Sequence, residues 1–188
     1  YFATDFVPDP TRDKMEVVVT PTNVDAGYNQ FIFGARSGNA STVTSAWALQ
    51  LRGSTQFRYD FNKVSGTTRN CKLEKDVKYT FTAEANTLTW SHGEGITSTE
   101  EIFSPASGPL KILYAEKATT YTTCKLHSFR VWRDGKLIHE FLPARLPSGV
   151  LNLVDYGPDP IPVTRNGLFQ AGPELPPKSG LIILFRGR

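Results

Sequence analysis

The chain is short of the residues that carry most metal and nucleophilic chemistry. Its 188 residues include two cysteines, Cys71 and Cys124, and three histidines, His92, His127 and His139. These five never approach the clustered spacing of a zinc site. No Gly-x-Ser-x-Gly elbow is present, so the usual setting of a serine nucleophile is missing. Apolar runs are short too. None nears the ~20 residues that span a bilayer, and the longest late one, Gly180 to Phe185, has the length of a closing strand. The 21 Lys and Arg against 18 Asp and Glu leave a net charge of +3 with no basic cluster, which argues against nucleic acid as a partner. No stretch keeps a helical period over three turns, and there is no internal repeat or low-complexity linker. The first residue is Tyr1 rather than Met, which fits either a removed leader or a module of a larger, multidomain parent, and the module is the expectation.

What the chain has in quantity is turn formers and aromatics: 15 Gly, 13 Pro, 12 Phe and 7 Tyr. That inventory suits many strands, many turns and a large aromatic core within one all-β domain. Strands are predicted at Glu16–Thr20, stopped by Pro21, and at Gln30–Arg36, Trp47–Arg52 and Gln56–Phe61. Others are predicted at Lys78–Glu84, Thr87–Trp90 with Asn86 in the turn before it, Leu110–Ala115, Lys125–Arg133 and Lys136–Phe141. Gly93, Gly95, Pro105 and Gly108 mark a loop, and Val154 to Pro162, with three prolines, an ordered loop. Short strands joined by short turns favour a two-sheet antiparallel sandwich.

Alternation assigns the faces, because successive strand side chains point to opposite sides. Phe57, Tyr59 and Phe61, with Trp47, Leu49 and Leu51 and with Phe31, Phe33 and Ala35, are expected in the core. Arg36, Gln50, Arg52, Arg58 and Asp60 then share the outer side of three adjacent strands as a polar strip.

The last third is the most specific. Ser128 to Arg133 and Lys136 to Phe141 flank Asp134-Gly135, a strong hairpin signal. Pro147-Ser148-Gly149, Leu153, Asp155 and the run Asn166 to Pro173 follow. This cadence resembles the C-terminal end of bacterial concanavalin A-like, laminin-G-like jelly rolls. Tyr1 to Pro8, Phe33-Gly34-Ala35-Arg36 and Arg58-Tyr59-Asp60 extend the likeness over nearly the whole chain. His92 to Ile96 and Val154 to Pro160 depart from it, so a function lodged in those loops is private to this chain. The resemblance implies a jelly roll that holds sugars, in a secreted or cell-surface protein.

Sugar binding needs a flat aromatic and fixed polar groups. Trp47, in phase with leucines, belongs to the core. Trp90 closes a strand at a loop entrance, and Trp132 breaks alternation beside Val131, which suggests an outward ring. Tyr28 and Tyr121 complete the aromatic stock. The candidate ligand contacts are Trp90, Trp132, Arg36, Arg58, Asp60 and Gln50. An Arg36–Asp60 ion pair on a solvated sheet is the structural alternative. Calcium is a weaker candidate through Asp25, Asp155 and Asp159, whose other reading is turn chemistry. Glycosidases of this general fold place acids at alternate positions of one strand. No Glu-x-Asp-x-x-Glu occurs here, and Glu94 and Glu101 are the only loop pair worth testing. His127 and His139, on opposite arms of the hairpin, are expected as exposed cross-strand neighbours. Cys71 and Cys124 suit either a disulfide in an oxidising compartment or two unrelated thiols. Asn39-Ala40-Ser41 matches a glycosylation acceptor.

The expected function is a non-catalytic, lectin-like carbohydrate-binding module, extracellular or at the cell surface, whose partner is a glycan or glycoprotein surface. A protein-binding adhesion module and a glycan-active hydrolase are the alternatives.

Overall fold

The computed structural model describes residues 1–23, 30–36, 46–51, 56–61, 67–70, 73–91, 93–97, 108–113 and 124–167, with the backbone alone at 46, 60, 61, 67–70 and 93–97. The described residues form two antiparallel seven-stranded sheets and no helix. In chain order the strands are β1 (Phe2–Ala3), β2 (Asp13–Pro21), β3 (Gln30–Arg36), β4 (Ala46–Leu51), β5 (Gln56–Phe61), β6 (Thr67–Asn70) and β7 (Tyr79–Glu84). Then come β8 (Thr87–Trp90), β9 (Gly93–Thr97), β10 (Leu110–Ile112), β11 (Cys124–Arg133), β12 (Lys136–Arg145), β13 (Leu151–Asp155) and β14 (Thr164–Arg165). One sheet runs β14-β1-β10-β3-β4-β5-β6 and is called the front sheet. The other, the back sheet, runs β13-β12-β11-β2-β7-β8-β9. The chain passes repeatedly between them, so the all-β sandwich expected from composition is present.

Alternation explains most of the packing. Met15, Val17 and Val19 of β2, Tyr79, Phe81 and Ala83 of β7, and Phe129 and Val131 of β11 point inward from the back sheet. They meet Ile32, Phe33 and Ala35 of β3, Trp47, Leu49 and Leu51 of β4, and Phe57 and Tyr59 of β5. Rings interlock edge to face across the gap: Phe33 with Phe129 at 5.6 Å and Phe57 with Phe81 at 5.8 Å. Such pairs contribute about 0.5–1.5 kcal/mol beyond area burial. Trp47 Nε1 donates to the Tyr59 hydroxyl at 2.6 Å, which donates to the Ala85 carbonyl at 2.7 Å. The two polar ends are thus satisfied in the core, as buried groups must be, and burial pushes the Tyr59 phenol pKa up.

Three predictions fail, in whole or in part, for identifiable reasons. Phe31 is buried as expected, at 1% exposure, but not on the side of Phe33: the register skips between the two, and the bulge gives Ile32 the place between the sheets and sets Phe31 beside Gln50. Gly93 and Gly95 belong to β9, an edge strand paired with β8, rather than to a loop. His127 and His139 are not cross-strand neighbours. His139 faces Val131, while His127 Nε2 lies 2.9 Å from Thr20 Oγ1, at a bulge of β11. Pro143 sits where His127 would pair and has no N–H to offer, so the β11–β12 ladder stops at Phe129–Phe141.

The Asp134-Gly135 hairpin does form. Both residues have positive φ, 51° and 77°, the twist a two-residue turn of this kind requires. The predicted strand at Gly180–Phe185 lies outside the described residues.

Candidate functional site

The polar strip expected on the outside of the front sheet takes a different form. β3, β4 and β5 are neighbours, and Arg36, Gln50 and Arg58 do face away from the core. That side is closed to solvent over its centre: Phe31 is 1% exposed, Ala48 0% and Gln50 4%. Gln50 is therefore an enclosed amide and not a surface contact. Arg36 and Arg58 are half-buried, and the Arg36 guanidinium carbon lies 5.8 Å from the centre of the Phe31 ring. Asp60 aligns with Ala48 on one side of β4 and Arg36 with Ala46 on the other. The side chain of Asp60 lies outside the described residues, as do Arg52, Cys71, Tyr28, Tyr121, Asp25, Asn39, His92 and Glu101 and the side chain of Glu94.

Trp90 is half-buried and turned inward. It aligns with Phe81 and packs edge-on against Phe57 at 4.7 Å, at the rim of the core. It is a packing residue, not a platform.

The outer side of the back sheet brings together a different set. Met15 and Val131 are paired and buried, so the next pair, Lys14 and Trp132, points out. The Lys14 ammonium lies 5.0 Å from the centre of the Trp132 ring. Trp132 is also aligned with Leu137, because a bulge at Ile138 shifts the β11–β12 register. One step along, Glu16, Arg130 and Glu140 stand in a row across β2, β11 and β12. Arg130 Nε donates to Glu140 Oε1 at 2.8 Å and its Nη1 to Glu16 Oε1 at 3.3 Å. The hydrogen bond from Glu140, more than any other influence, holds the Arg130 pKa above its ordinary value. The row ends on Tyr156. Its amide donates to the Glu140 carbonyl at 2.8 Å, which extends the β12–β13 register by one pair and puts the ring on this same outer side. Tyr156 is 56% exposed, the most exposed large hydrophobic side chain described. Neither the Trp132 indole N–H nor the Tyr156 hydroxyl has a partner among the described residues.

Tyr156 is held by the residue before it. Asp155 is 6% exposed and its carboxylate accepts four hydrogen bonds. Oδ1 takes the amides of Glu140 and Gly157, both at 2.9 Å. Oδ2 takes the Ile161 amide at 3.0 Å and His139 Nδ1 at 2.7 Å. An ionised carboxylate only accepts, so Nδ1 carries the proton. The His139 ring is 6% exposed and lies between Phe6, 4.8 Å away edge-on, and Phe141, stacked at 5.6 Å. The expected exposed strand histidine is therefore a buried partner of Asp155. Gly157 is required by close approach: a Cβ there would sit 2.2 Å from the Ile138 carbonyl oxygen. Asn152 Nδ2 donates to the Val163 carbonyl at 3.3 Å, and Ile161 and Val163 pack on the core. The proline-rich crossing from β13 to β14 is thus ordered, as predicted, and its first residue presents a fixed ring.

Asp155 serves turn chemistry rather than a cation, with each oxygen already accepting twice. Asp159 is exposed. Among the described residues, no three His, Cys, Asp or Glu side chains stand together as metal ligands. A second buried carboxylate, Asp13, accepts a two-pronged bond from Arg133 at 2.7 and 2.8 Å and fixes the entry to β2. Cys124 is a free thiol whose pKa burial pushes up to about 12, which removes the thiolate that reactivity needs.

Sequence reading named Trp132 but missed Tyr156, Arg130, Glu140 and Glu16. The signal for Tyr156 was alternation carried past Asp155: Leu153 and Asp155 point in, so Tyr156 points out. No family model matches the chain, and no curated protein matches it.

Proposed function

We propose that this protein is a non-catalytic carbohydrate-binding module of the concanavalin A-like, laminin-G-like kind, acting outside the cell or at its surface, and that the outer side of the back sheet is its binding face. One observation carries the reading. Two aromatic side chains with unengaged polar ends, Trp132 and Tyr156, flank a fixed row of charged groups on one sheet face. Rings with an apolar body and a wet edge suit a ligand whose ring faces are apolar and whose rim bears hydroxyls. The free oxygens of Glu16 and Glu140 and the remaining guanidinium N–H groups are set by their ion pairs before any ligand arrives. That lowers the ordering cost of binding.

The same row argues for holding rather than cutting. Glycoside cleavage needs one carboxyl kept protonated by its surroundings and a second as nucleophile or base. Glu16 and Glu140 are instead both tied to one guanidinium, that of Arg130.

The test is a glycan array with wild type, Trp132→Ala and Tyr156→Ala, each checked by thermal melting. Defined glycan hits for wild type are expected, weakened about tenfold or more by either substitution, a loss of roughly 1.4 kcal/mol, with little change in melting. A wild-type protein that binds no glycan would overturn the proposal and turn attention to a protein partner on the same face.

A further inference from the structure

We infer that this face takes an extended, uncharged oligosaccharide chain, not a single sugar and not an acidic one; the inference rests on the carbohydrate reading above. The argument for length is the register. Trp132 lies on β11 and Tyr156 at the end of β13, with β12 between them. Two strand spacings separate them laterally by roughly 10 Å. Tyr156 aligns with Glu140, Glu140 with Arg130, and Trp132 is two residues beyond Arg130, a further offset of roughly 7 Å along the strand. The two anchors thus stand about 12 Å apart on the diagonal. One pyranose ring cannot cover both, whereas a short chain can. The ground between them is the partly exposed Leu137 and Glu140, and no insertion among the described residues walls off a single-residue pocket.

The argument for neutrality is the charge inventory of that side. Among the described residues beside the two rings, Lys14 and Arg130 face Glu16, Glu84 and Glu140, while Lys125, opposite Thr20, stands at the far end of β11 from Trp132. Arg130 is committed to Glu140 and Glu16, and Lys14 sits over the indole. Among the described residues beside the rings, an incoming carboxylate or sulfate meets three carboxylates and no uncommitted cation. Hydroxyls, by contrast, find both donors and acceptors in fixed positions.

Calorimetric titration tests this with neutral oligosaccharides built from glucose, mannose, galactose or xylose, in lengths of one, two, four and six units, beside oligomers of galacturonic acid. Affinity for at least one neutral series is expected to rise about tenfold or more from one unit to four, as a second subsite engages on the same chain. Trp132→Ala and Tyr156→Ala should each flatten that rise while leaving melting unchanged. A monosaccharide that binds as tightly as its tetramer, or a preference for the uronic acid series, would overturn the inference and leave carbohydrate binding standing. Failure of every sugar to bind would overturn both.

Discussion

Replacing Asp155 by alanine removes one carboxylate and strands four donors: His139 Nδ1 and the amides of Glu140, Gly157 and Ile161. A buried donor left without an acceptor costs about 1–3 kcal/mol. The Gly157 and Ile161 amides lie on a surface crossing and can turn toward water. His139 and the Glu140 amide cannot, since the ring is enclosed by Phe6 and Phe141 and the strand is fixed on both sides. Two fully charged penalties give a loss of about 4 kcal/mol. In a domain of this size 1 kcal/mol lowers the melting temperature by about 2–4 °C, so a drop of roughly 8–16 °C is expected by calorimetry. Asparagine is a graded control. Its remaining oxygen keeps two of the bonds, and His139 can move its proton to Nε2 and accept from the new amide. Only the Ile161 N–H is left unpaired, for a loss of about 1–3 kcal/mol. Amide exchange at Ile161 should accelerate in both variants, and at Gly157 in the alanine variant. An alanine variant that melts within ~3 °C of wild type, about 1 kcal/mol, would refute the claim that this carboxylate ties the crossing down.

Trp90→Ala should lower stability by about 2 kcal/mol, or roughly 4–8 °C in melting, because a half-buried ring leaves the core rim, while any glycan binding is retained; the reverse pattern would return Trp90 to the candidate platforms. Lys14→Ala should hold or raise glycan affinity, by up to about fivefold, since an exposed ammonium over a ring is worth about 0.5–1 kcal/mol and competes for that face; a tenfold loss in titration would instead make the lysine a ligand contact. Cys124 should resist iodoacetamide in the folded protein near pH 8.5, the ordinary cysteine pKa, and be alkylated once unfolded without reductant. Peptide mass analysis showing it blocked until reduced would contradict its assignment as a free thiol.

Period-two alternation made the sandwich legible. β3, β5 and the β11–β12 hairpin fall where the pattern of Phe, Tyr and Val puts them, because one side of each strand must be buried and the other need not be. The pattern loses its phase at bulges, which insert one residue without any mark in composition. Ile32 is one such residue, and it takes the place between the sheets that alternation gives to Phe31, which is buried on the other side. Short strands at or next to the sheet edges, such as β1, β9, β13 and β14, are also missed. They are too brief to alternate visibly, and long-range pairing rather than local preference holds them. Trp132 was readable because alternation puts it outward beside the inward Val131. His139 and Asp155 were not: their meeting depends on β13 lying beside β12, and an isolated histidine on a strand carries no sign of a carboxylate sixteen residues away.

The placement of Tyr156 connects the two halves of the reasoning. Aromatic side chains exposed on mobile loops lose entropy when a ligand orders them, and that loss subtracts from affinity. Here the residue before the ring is buried and fully bonded, and the residue after it is a glycine pressed against the β12 backbone. The polar contacts that close the sandwich at this corner are thus the same ones that hold the ring in position. A substitution at Asp155 or Gly157 should therefore weaken ligand binding through Tyr156 while sparing the share that Trp132 provides. Binding measured on Asp155→Ala below its melting transition separates the two: a residual affinity equal to that of Tyr156→Ala is expected. Wild-type affinity in Asp155→Ala would mean that the ring finds its place without the carboxylate.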